Sequence, residues 1–405
     1  EHEGSYKSGS SPRYHARQIA MKRCGTHKAR LVMGSATPSI EAWHLMEEKK
    51  LTAVSLPERH SGGGMPELSI VNMNREKGPL SRKLLAEMKT TFDEGRQTIL
   101  FLNRRGFSYF FHCRSCGYEM RCRQCSITMT YHKNKNRMIC HYCGYNTLPV
   151  QVCPECSSLD IGYAGFGTEQ IEEELTKNFP YMNIQRVDAD STRKKDSLRD
   201  KLSQFREGLI HVLVGTQMVA KGLNFPKVKL AGIILADTTL SLPDFRSSER
   251  TFSLLVQVAG RAGRYLPEGR VIIQTYRPEH PAIQYAQRND LDGFFRQELL
   301  IRKSLSFPPY TRLFRIVFRG KRKDAAETAA QNFSERLGPA RQPGTEVLGP
   351  AECPIQTIAG NHRFHLILRS WDFSKTHALV RAAALDFSCP SGVYMEIDID
   401  ARNLL

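Results

Sequence analysis

The sequence predicts a multi-domain α/β protein: a parallel sheet interrupted by a double-zinc module and followed by a small α+β domain. Three observations predict it. Short apolar runs alternate with helical stretches through most of the chain, the pattern of parallel strands joined by crossover helices. Eight of the 11 cysteines fall between Cys113 and Cys156, in four Cys-x-x-Cys pairs. Beyond Phe307-Pro308-Pro309-Tyr310, where two prolines break any helix, the apolar positions alternate as in a half-buried strand.

At 405 residues the chain exceeds one ordinary core, so two or three globular units are expected. With 40% apolar and 24% charged residues it lies far from the disordered regime, and no apolar run approaches the roughly 20 residues that span a bilayer. A soluble chain with no membrane partner follows. The 58 Lys+Arg against 41 Asp+Glu give a net charge of +17, which suits a polyanionic partner such as nucleic acid. The opening Glu1-His2-Glu3 has neither an initiator Met nor the order of a signal peptide, so the chain is expected to start within a longer protein.

Buried strands are expected at Leu31-Val32-Met33, Ile99 to Leu102, Val212 to Val214, Ala231 to Leu235 and Val271 to Ile273. Helices are expected from Thr168 to about Lys177, from Glu249 to about Ala259, and from Ile283 to Arg302. In the last domain, Leu313 to Phe318 and Phe364 to Leu368 read as strands, with an Ala-rich helix after Asp324. Arg363 and Arg369 there read as a solvated cationic face. His362 and His365 lack metal-ligand spacing and read as structural.

Cys-x-x-Cys pairs in a long chain read as metal ligands in a reducing compartment, not as disulfides. A Cys-x-x-Cys turn aims two sulfurs at one point, and two turns complete the closed tetrahedral shell of a structural Zn²⁺. Gly117, Gly144 and Pro154 suit such tight knuckles. Four pairs can be matched in three ways. The five residues between Cys116 and Cys122 barely allow a reversal, whereas the 14 between Cys125 and Cys140 fit a hairpin. The expected pairing is therefore nested, with Cys122, Cys125, Cys140 and Cys143 on an inner zinc and Cys113, Cys116, Cys153 and Cys156 on an outer one. Cys24, Cys353 and Cys389 are isolated and read as small buried residues.

Ligands of parallel α/β folds gather at strand C-termini, and three segments lie there: Gly34-Ser35-Ala36-Thr37, Gly215-Thr216-Gln217-Met218-Val219-Ala220-Lys221-Gly222, and Gln257-Val258-Ala259-Gly260-Arg261-Ala262-Gly263-Arg264. In this order they resemble motifs III, V and VI of the superfamily-2 helicases. The resemblance implies RecA-like lobes that bind ATP between them, with Gln257, Arg261 and Arg264 acting catalytically. Arg261 and Arg264, three apart on one helix face, would reach the γ-phosphate together with Gly222. A planar, permanently charged fork suits the charge spreading in phosphoryl transfer. Thr216, Gln217 and Lys221 would touch the DNA backbone or the nucleotide. Glu1 and His2 resemble the second half of a D-E-E-H box, whose Asp-Glu would hold Mg²⁺ and orient water. No G-x-x-x-x-G-K-[ST] loop occurs in these residues, so ATP and Mg²⁺ are expected to be bound by the full-length protein and this chain to be inactive alone.

Eight cysteines placed just after Leu102-Asn103-Arg104-Arg105-Gly106-Phe107 resemble one group, the primosomal protein N′ (PriA) family of replication-restart helicases, essentially end to end. The resemblance implies the end of helicase lobe 1 at 1–78, lobe 2 at 79–278 with a zinc insert at 108–164, a helical connector at 279–303 and an α+β domain at 304–405. It implies a bacterial, cytoplasmic, nucleoid-associated 3′-to-5′ DNA helicase acting at stalled forks. Its partners would be DNA forks, single-stranded DNA, single-strand-binding protein, and primosome and helicase-loading proteins. Tyr6, Lys7, Arg13, Tyr14 and Arg17 resemble the aromatic-rich loop that couples DNA to hydrolysis, since aromatic faces stack on bases and cations pair with phosphates; Arg104 and Arg105 are further expected DNA contacts. The rival readings are a non-enzymatic zinc-ribbon adaptor that retains the motifs only as fold, and a translocase that does not separate strands.

Overall fold

The computed structural model describes residues 4–56, 66–102, 110–132, 135–164, 168–187, 195–215, 225–260, 262, 268–338, 343–402 and 404. Two helices come first. α1 (Ala16–Thr26) starts at His15, whose ring accepts the Arg17 amide, and buries none of its residues. α2 (Ile40–Glu47) is capped by Ser39, which accepts the Ala42 amide, and buries Ile40 and Ala42. Strands β1 (Glu67–Asn72) and β2 (Gln97–Leu102) then flank α3 (Arg82–Asp93). The insert follows, with β3 (Phe110–Cys113), β4 (Thr130–His132), β5 (Arg137–Ile139), β6 (Asn146–Thr147) and β7 (Ile161–Ala164). Antiparallel pairing of β3 with β7 closes it at its base.

The chain re-enters the sheet through α4 (Thr168–Asn178), β8 (Ile184–Val187), α5 (Lys195–Glu207), β9 (Val212–Gly215) and β10 (Val228–Ile234). It continues through α6 (Asp237–Leu240), α7 (Ser247–Ala259) and β11 (Arg270–Thr275). The described strands form a six-stranded sheet, ordered β1-β11-β10-β2-β9-β8, with every pairing parallel. β2 and β10 are buried along their whole length, which is why they read as unbroken apolar runs. One face packs Ile233, Val271 and Ile273 against Phe252 and Leu255 of α7. The other packs Leu100, Leu230 and Ile272 against Leu84 and Met88 of α3 and Ile171 and Leu175 of α4. At Gly232 a Cβ would stand 2.6 Å from Leu100 Cδ2 and 3.0 Å from Leu84 Cδ1, so glycine lets α3 lie close on the sheet.

Helices α8 (Pro281–Gln287) and α9 (Leu291–Ser304) lead to the last unit: β12 (Arg312–Gly320), α10 (Lys323–Leu337), β13 (Thr345–Ile358), β14 (Asn361–Ser370), α11 (Phe373–Leu385) and β15 (Val393–Ile399). Its antiparallel sheet runs β13-β14-β12-β15. Phe314, Ile316 and Phe318 face Ala326, Ala330 and Phe333 of α10, and the preceding Leu313, on the opposite face, belongs to a second core shared with the insert.

The α/β fold, the parallel sheet and the α+β unit agree with expectation, and three details differ. Leu31-Val32-Met33 forms no strand. Val32 is 92% exposed, and a parallel strand needs neighbours that the described residues do not supply at this point. β1 lies before residue 78 yet pairs residue for residue with β11, because Leu68 and Ile70 face one core and Val71 the other. The helical stretch from Ile283 to Arg302 is two helices. Asn289 turns left-handed at φ 51°, and Asp290 caps α9 by accepting the Gly293 amide at 2.8 Å.

His280 caps α8, its Nδ1 accepting the Ala282 amide at 3.2 Å. Burial, reinforced by the charges of Arg277 and Arg121, holds its pKa down at about 3. The unfolded chain takes up this proton near pH 6.5 and the folded chain does not, so stability falls as pH drops from 6.5 toward 3, by up to about 1.4 kcal/mol per pH unit. His280→Asn keeps a cap acceptor that does not titrate. Urea unfolding at pH 7 and pH 5 should therefore show a smaller loss in the variant than in the wild type; equal losses would clear His280 of the effect.

Candidate functional site

The eight cysteines come together as two sets of four, Cys113, Cys116, Cys153 and Cys156, and Cys122, Cys125, Cys140 and Cys143, with the sulfurs of each set within 4.8 Å of one another. This is the nested pairing. Cys113–Cys156, Cys116–Cys153 and Cys122–Cys143 stand at 3.6 Å Sγ to Sγ, close to the ~3.8 Å edge of a tetrahedron whose corners lie about 2.3 Å from a zinc. Soft thiolates at this spacing, all four corners supplied by protein, suit a structural Zn²⁺ with no open position for catalysis.

All four knuckles share one backbone design. The residue after the second cysteine returns its amide to the carbonyl of the first: Gly117 to Cys113, Ser126 to Cys122, Gly144 to Cys140 and Ser157 to Cys153, at 2.8 to 2.9 Å. Each of these residues is left-handed, at φ 79°, 55°, 80° and 57° respectively. Glycine meets that demand freely, whereas Ser126 and Ser157 hold it at a cost of roughly 1–2 kcal/mol each. Sequence reasoning found the two glycines and missed the two serines. The signal was positional, since each serine occupies the same place in its pair as the glycine does in the others.

The insert is wedged between the two larger units. Tyr142, between two cysteines of the inner set, is fully buried, and its Oη accepts the Phe245 amide at 3.2 Å. Around it Met138 and Met129 of the insert share a core with Phe245, with Phe307 beyond α9, and with Leu313, Leu348 and Ile367 of the C-terminal sheet. His141 Nδ1 lies 2.8 Å from the Glu352 carbonyl, and the buried His365 bonds the His141 carbonyl in return, the structural role expected of it. The outer half rests on the parallel sheet. A Cβ on Gly117 would sit 2.9 Å from the Tyr276 carbonyl, and Glu119, buried, binds Arg277 at 2.7 Å and Ser241.

A second constellation joins the amino-terminal segment to α7. Thr37, the last residue of Ser35-Ala36-Thr37, is fully buried and accepts a hydrogen bond from Gln257 Nε2 at 3.2 Å, so the motif III-like and motif VI-like segments touch. Arg17 Nη1 bonds Ser39 Oγ at 2.9 Å. Beside them lies a buried ion cluster that sequence reasoning missed. Arg302 binds Glu249 at 2.8 Å and Glu298 at 3.1 Å, Arg246 binds Glu41 at 2.5 Å, and Glu249 Oε1 accepts the Ile40 amide at the start of α2. Burial opposes ionisation of Glu249, but Arg302 and Arg246 outweigh it and hold the carboxyl below its usual range.

In the expected DNA loop, Tyr6 and Tyr14 are about half exposed, while Lys7 binds Asp398 at 2.7 Å and Arg13 binds Glu396 at 2.5 Å, both on β15. Glu1, His2, Arg104, Arg105, Thr216, Gln217, Lys221, Gly222, Arg261 and Arg264 lie outside the described residues.

A family model described as "Helicase conserved C-terminal domain" matches residues 153–266, which places the parallel-sheet unit among the RecA-like helicase lobes. Two further models match, "PriA DNA helicase Cys-rich region (CRR) domain" at 122–147 and "Primosomal protein N C-terminal domain" at 303–401. Along its length the chain is similar to the PriA replication restart proteins. It is 47% identical over 405 residues to the replication restart protein PriA of Treponema pallidum, covering 100% of this chain and 62% of that one. It is 41% identical to that of Bacillus subtilis, covering 94% of this chain and 48% of the relative. The chain thus spans 48% to 62% of the length of these relatives. Among solved structures, S. cerevisiae Dbp5 bound to RNA and ADP BeF3 aligns at a TM-score of 0.33 and 16% identity, over 72% of this chain and 59% of that one.

Metal analysis of the purified protein should return about two zinc ions per chain. Cys140→Ser should release the inner ion and speed proteolysis between the insert and the C-terminal unit, whereas Cys156→Ser in the outer set should release one ion and leave that cleavage rate unchanged. A wild-type content near zero or one would overturn the two-site assignment.

Proposed function

We propose that the full-length protein is an ATP-dependent 3′-to-5′ DNA helicase that recognises and remodels stalled replication forks and initiates primosome assembly. The observation that carries this reading is the Gln257–Thr37 contact, which links two motor motifs across a buried junction inside a chain that also carries the nested cysteine insert. ATP and Mg²⁺ bind between two lobes, Arg261 and Arg264 reach the γ-phosphate, and Gly222 approaches the nucleotide. Gln257 carries nucleotide state to Thr37 and the amino-terminal segment. Both zinc ions are structural, and the insert holds the C-terminal unit against the motor lobe.

DNA runs past Tyr6, Lys7, Arg13, Tyr14 and Arg17, with Thr216, Gln217, Lys221, Arg104 and Arg105 on its backbone. Half-exposed tyrosines offer stacking faces that do not discriminate sequence, as a motor requires. Forks, single-stranded DNA, single-strand-binding protein and helicase-loading proteins are the partners, in the bacterial cytoplasm and nucleoid. Among the described residues no helix is long and apolar enough to cross a membrane.

In the full-length protein, Arg264→Ala should lower DNA-stimulated ATPase at least about a thousandfold while leaving DNA affinity within a few-fold, as expected of a guanidinium acting on the transition state. Unchanged turnover would remove Arg264 from the active site. Tyr14→Ala should raise the DNA concentration needed for half-maximal ATPase with little change in unstimulated hydrolysis, and normal stimulation would show that the loop takes no part in coupling.

A further inference from the structure

Beyond β15 the chain leaves the C-terminal sheet and runs into the junction between motor and zinc insert. Ala401 and Leu404 are buried in the core that the insert shares with Phe245, and the Leu404 amide bonds Asp244 Oδ2 at 3.4 Å. Between them Arg402 touches two motor elements. Its Nε donates to His15 Nε2 at 3.3 Å, where the amino-terminal loop passes into α1, and its carbonyl accepts a hydrogen bond from Arg250 of α7. Asp400, two residues earlier, accepts one from Gln18 of α1 at 3.1 Å.

The Arg402 guanidinium enters the buried ion cluster. There Arg246 and Arg302 face three carboxylates, Glu41, Glu249 and Glu298, beside a separate Arg250–Asp244 pair at 3.1 Å. Glu249 holds the Ile40 amide at 3.0 Å, three residues after the Thr37 that meets Gln257. Arg402 brings the third cation. Burial opposes ionisation of Glu41 and Glu249, and Arg402 is among the cations that outweigh it, after Arg246 and Arg302. Burial first, then Arg246, holds Arg402 itself below the usual arginine range, with Glu41 and Glu249 acting the other way and Arg17 adding to the depression.

Its bonding is incomplete. Among the described residues, Arg402 Nη2 and Glu41 Oε2 are both buried without a hydrogen-bond partner. A buried charged donor and a buried charged acceptor left unmet are costly, and each gains if they meet. Anchored at Nε alone, the guanidinium can turn toward Glu41 without releasing His15.

We propose that Arg402 is a positioning residue of the motor. Held by His15 on one side and facing Glu41 and Glu249 on the other, it aligns the amino-terminal loop with the start of α2, and so lets the C-terminal unit set how strongly DNA accelerates ATP hydrolysis. It touches neither nucleotide nor DNA and acts through those neighbours. This role rests on the helicase reading above.

The test uses the full-length protein, with ATP hydrolysis measured alone and at saturating oligothymidylate, and oligothymidylate affinity measured by anisotropy. Arg402→Gln should lower the DNA-stimulated rate about tenfold while unstimulated hydrolysis and affinity stay within about twofold, a split that loss of folded protein cannot produce. Arg402→Lys, which keeps the charge beside Glu41 and Glu249, should recover most of the stimulation. His15→Asn keeps a cap acceptor for the Arg17 amide but is too short to reach Arg402, so it should lose stimulation as Arg402→Gln does; where Arg402→Gln does not fold, His15→Asn decides alone. Stimulation equal to that of the wild type in these variants overturns the role and leaves the helicase reading standing. So does a proportional fall in all three measurements that Arg402→Lys fails to restore. A wild type whose hydrolysis DNA does not stimulate removes the helicase reading and this role together.

Discussion

Burial of Tyr142 between two cysteines of the inner set is the contact on which the arrangement of the units depends. A metal-ligating turn has to be held from within, and four sulfurs within 4.8 Å of one another do that. It must also present something to its surroundings, and here it presents a full aromatic ring. Because the ring reaches the Phe245 amide while its neighbour His141 reaches β13 and β14, one short ribbon binds the motor lobe and the C-terminal sheet together. Strands of two to four residues build little core of their own, and metal ligation by two sets of four cysteines suits the fixing of such a unit.

Charge is handled differently inside and outside this junction. Arg302 is almost completely buried and meets three carboxylates, Glu249, Glu298 and, at 3.9 Å, Glu41, so its desolvation is offset only in this geometry. Such a cluster adds little net stability over an apolar one of the same shape, but it penalises any misplacement of α2, α7 or α9. The amino-terminal loop is strapped to β15 by two ion pairs, a largely buried Lys7–Asp398 and a partly exposed Arg13–Glu396 that water and salt weaken more readily.

Much of this is legible in the amino-acid sequence. The zinc pairing followed from spacing, because five residues cannot reverse where 14 can, and β4 and β5 form the hairpin that those 14 residues suggested. β2, β9, β10 and β11 were legible as apolar runs because strands buried on both faces leave no room for alternation. Leu31 to Met33 misled for the same reason in reverse, since an apolar run carries no information about whether a neighbour is present. The break at Asn289 was hidden because apolar residues on both sides keep a helical period, and only the left-handed turn and the Asp290 cap interrupt it.

The sequence by itself determined which cysteines share a site, which strands are buried and which family the motifs resemble. These properties depend on spacing along the chain and on residue type, and both survive without knowing how distant segments meet. Only the tertiary structure decided that Thr37 meets Gln257, that Glu249 caps α2, and that Lys7 and Arg13 lie against alternating carboxylates of β15. Those contacts join residues hundreds of positions apart, and each forms because packing of two separate cores leaves one orientation in which the buried polar groups are paired.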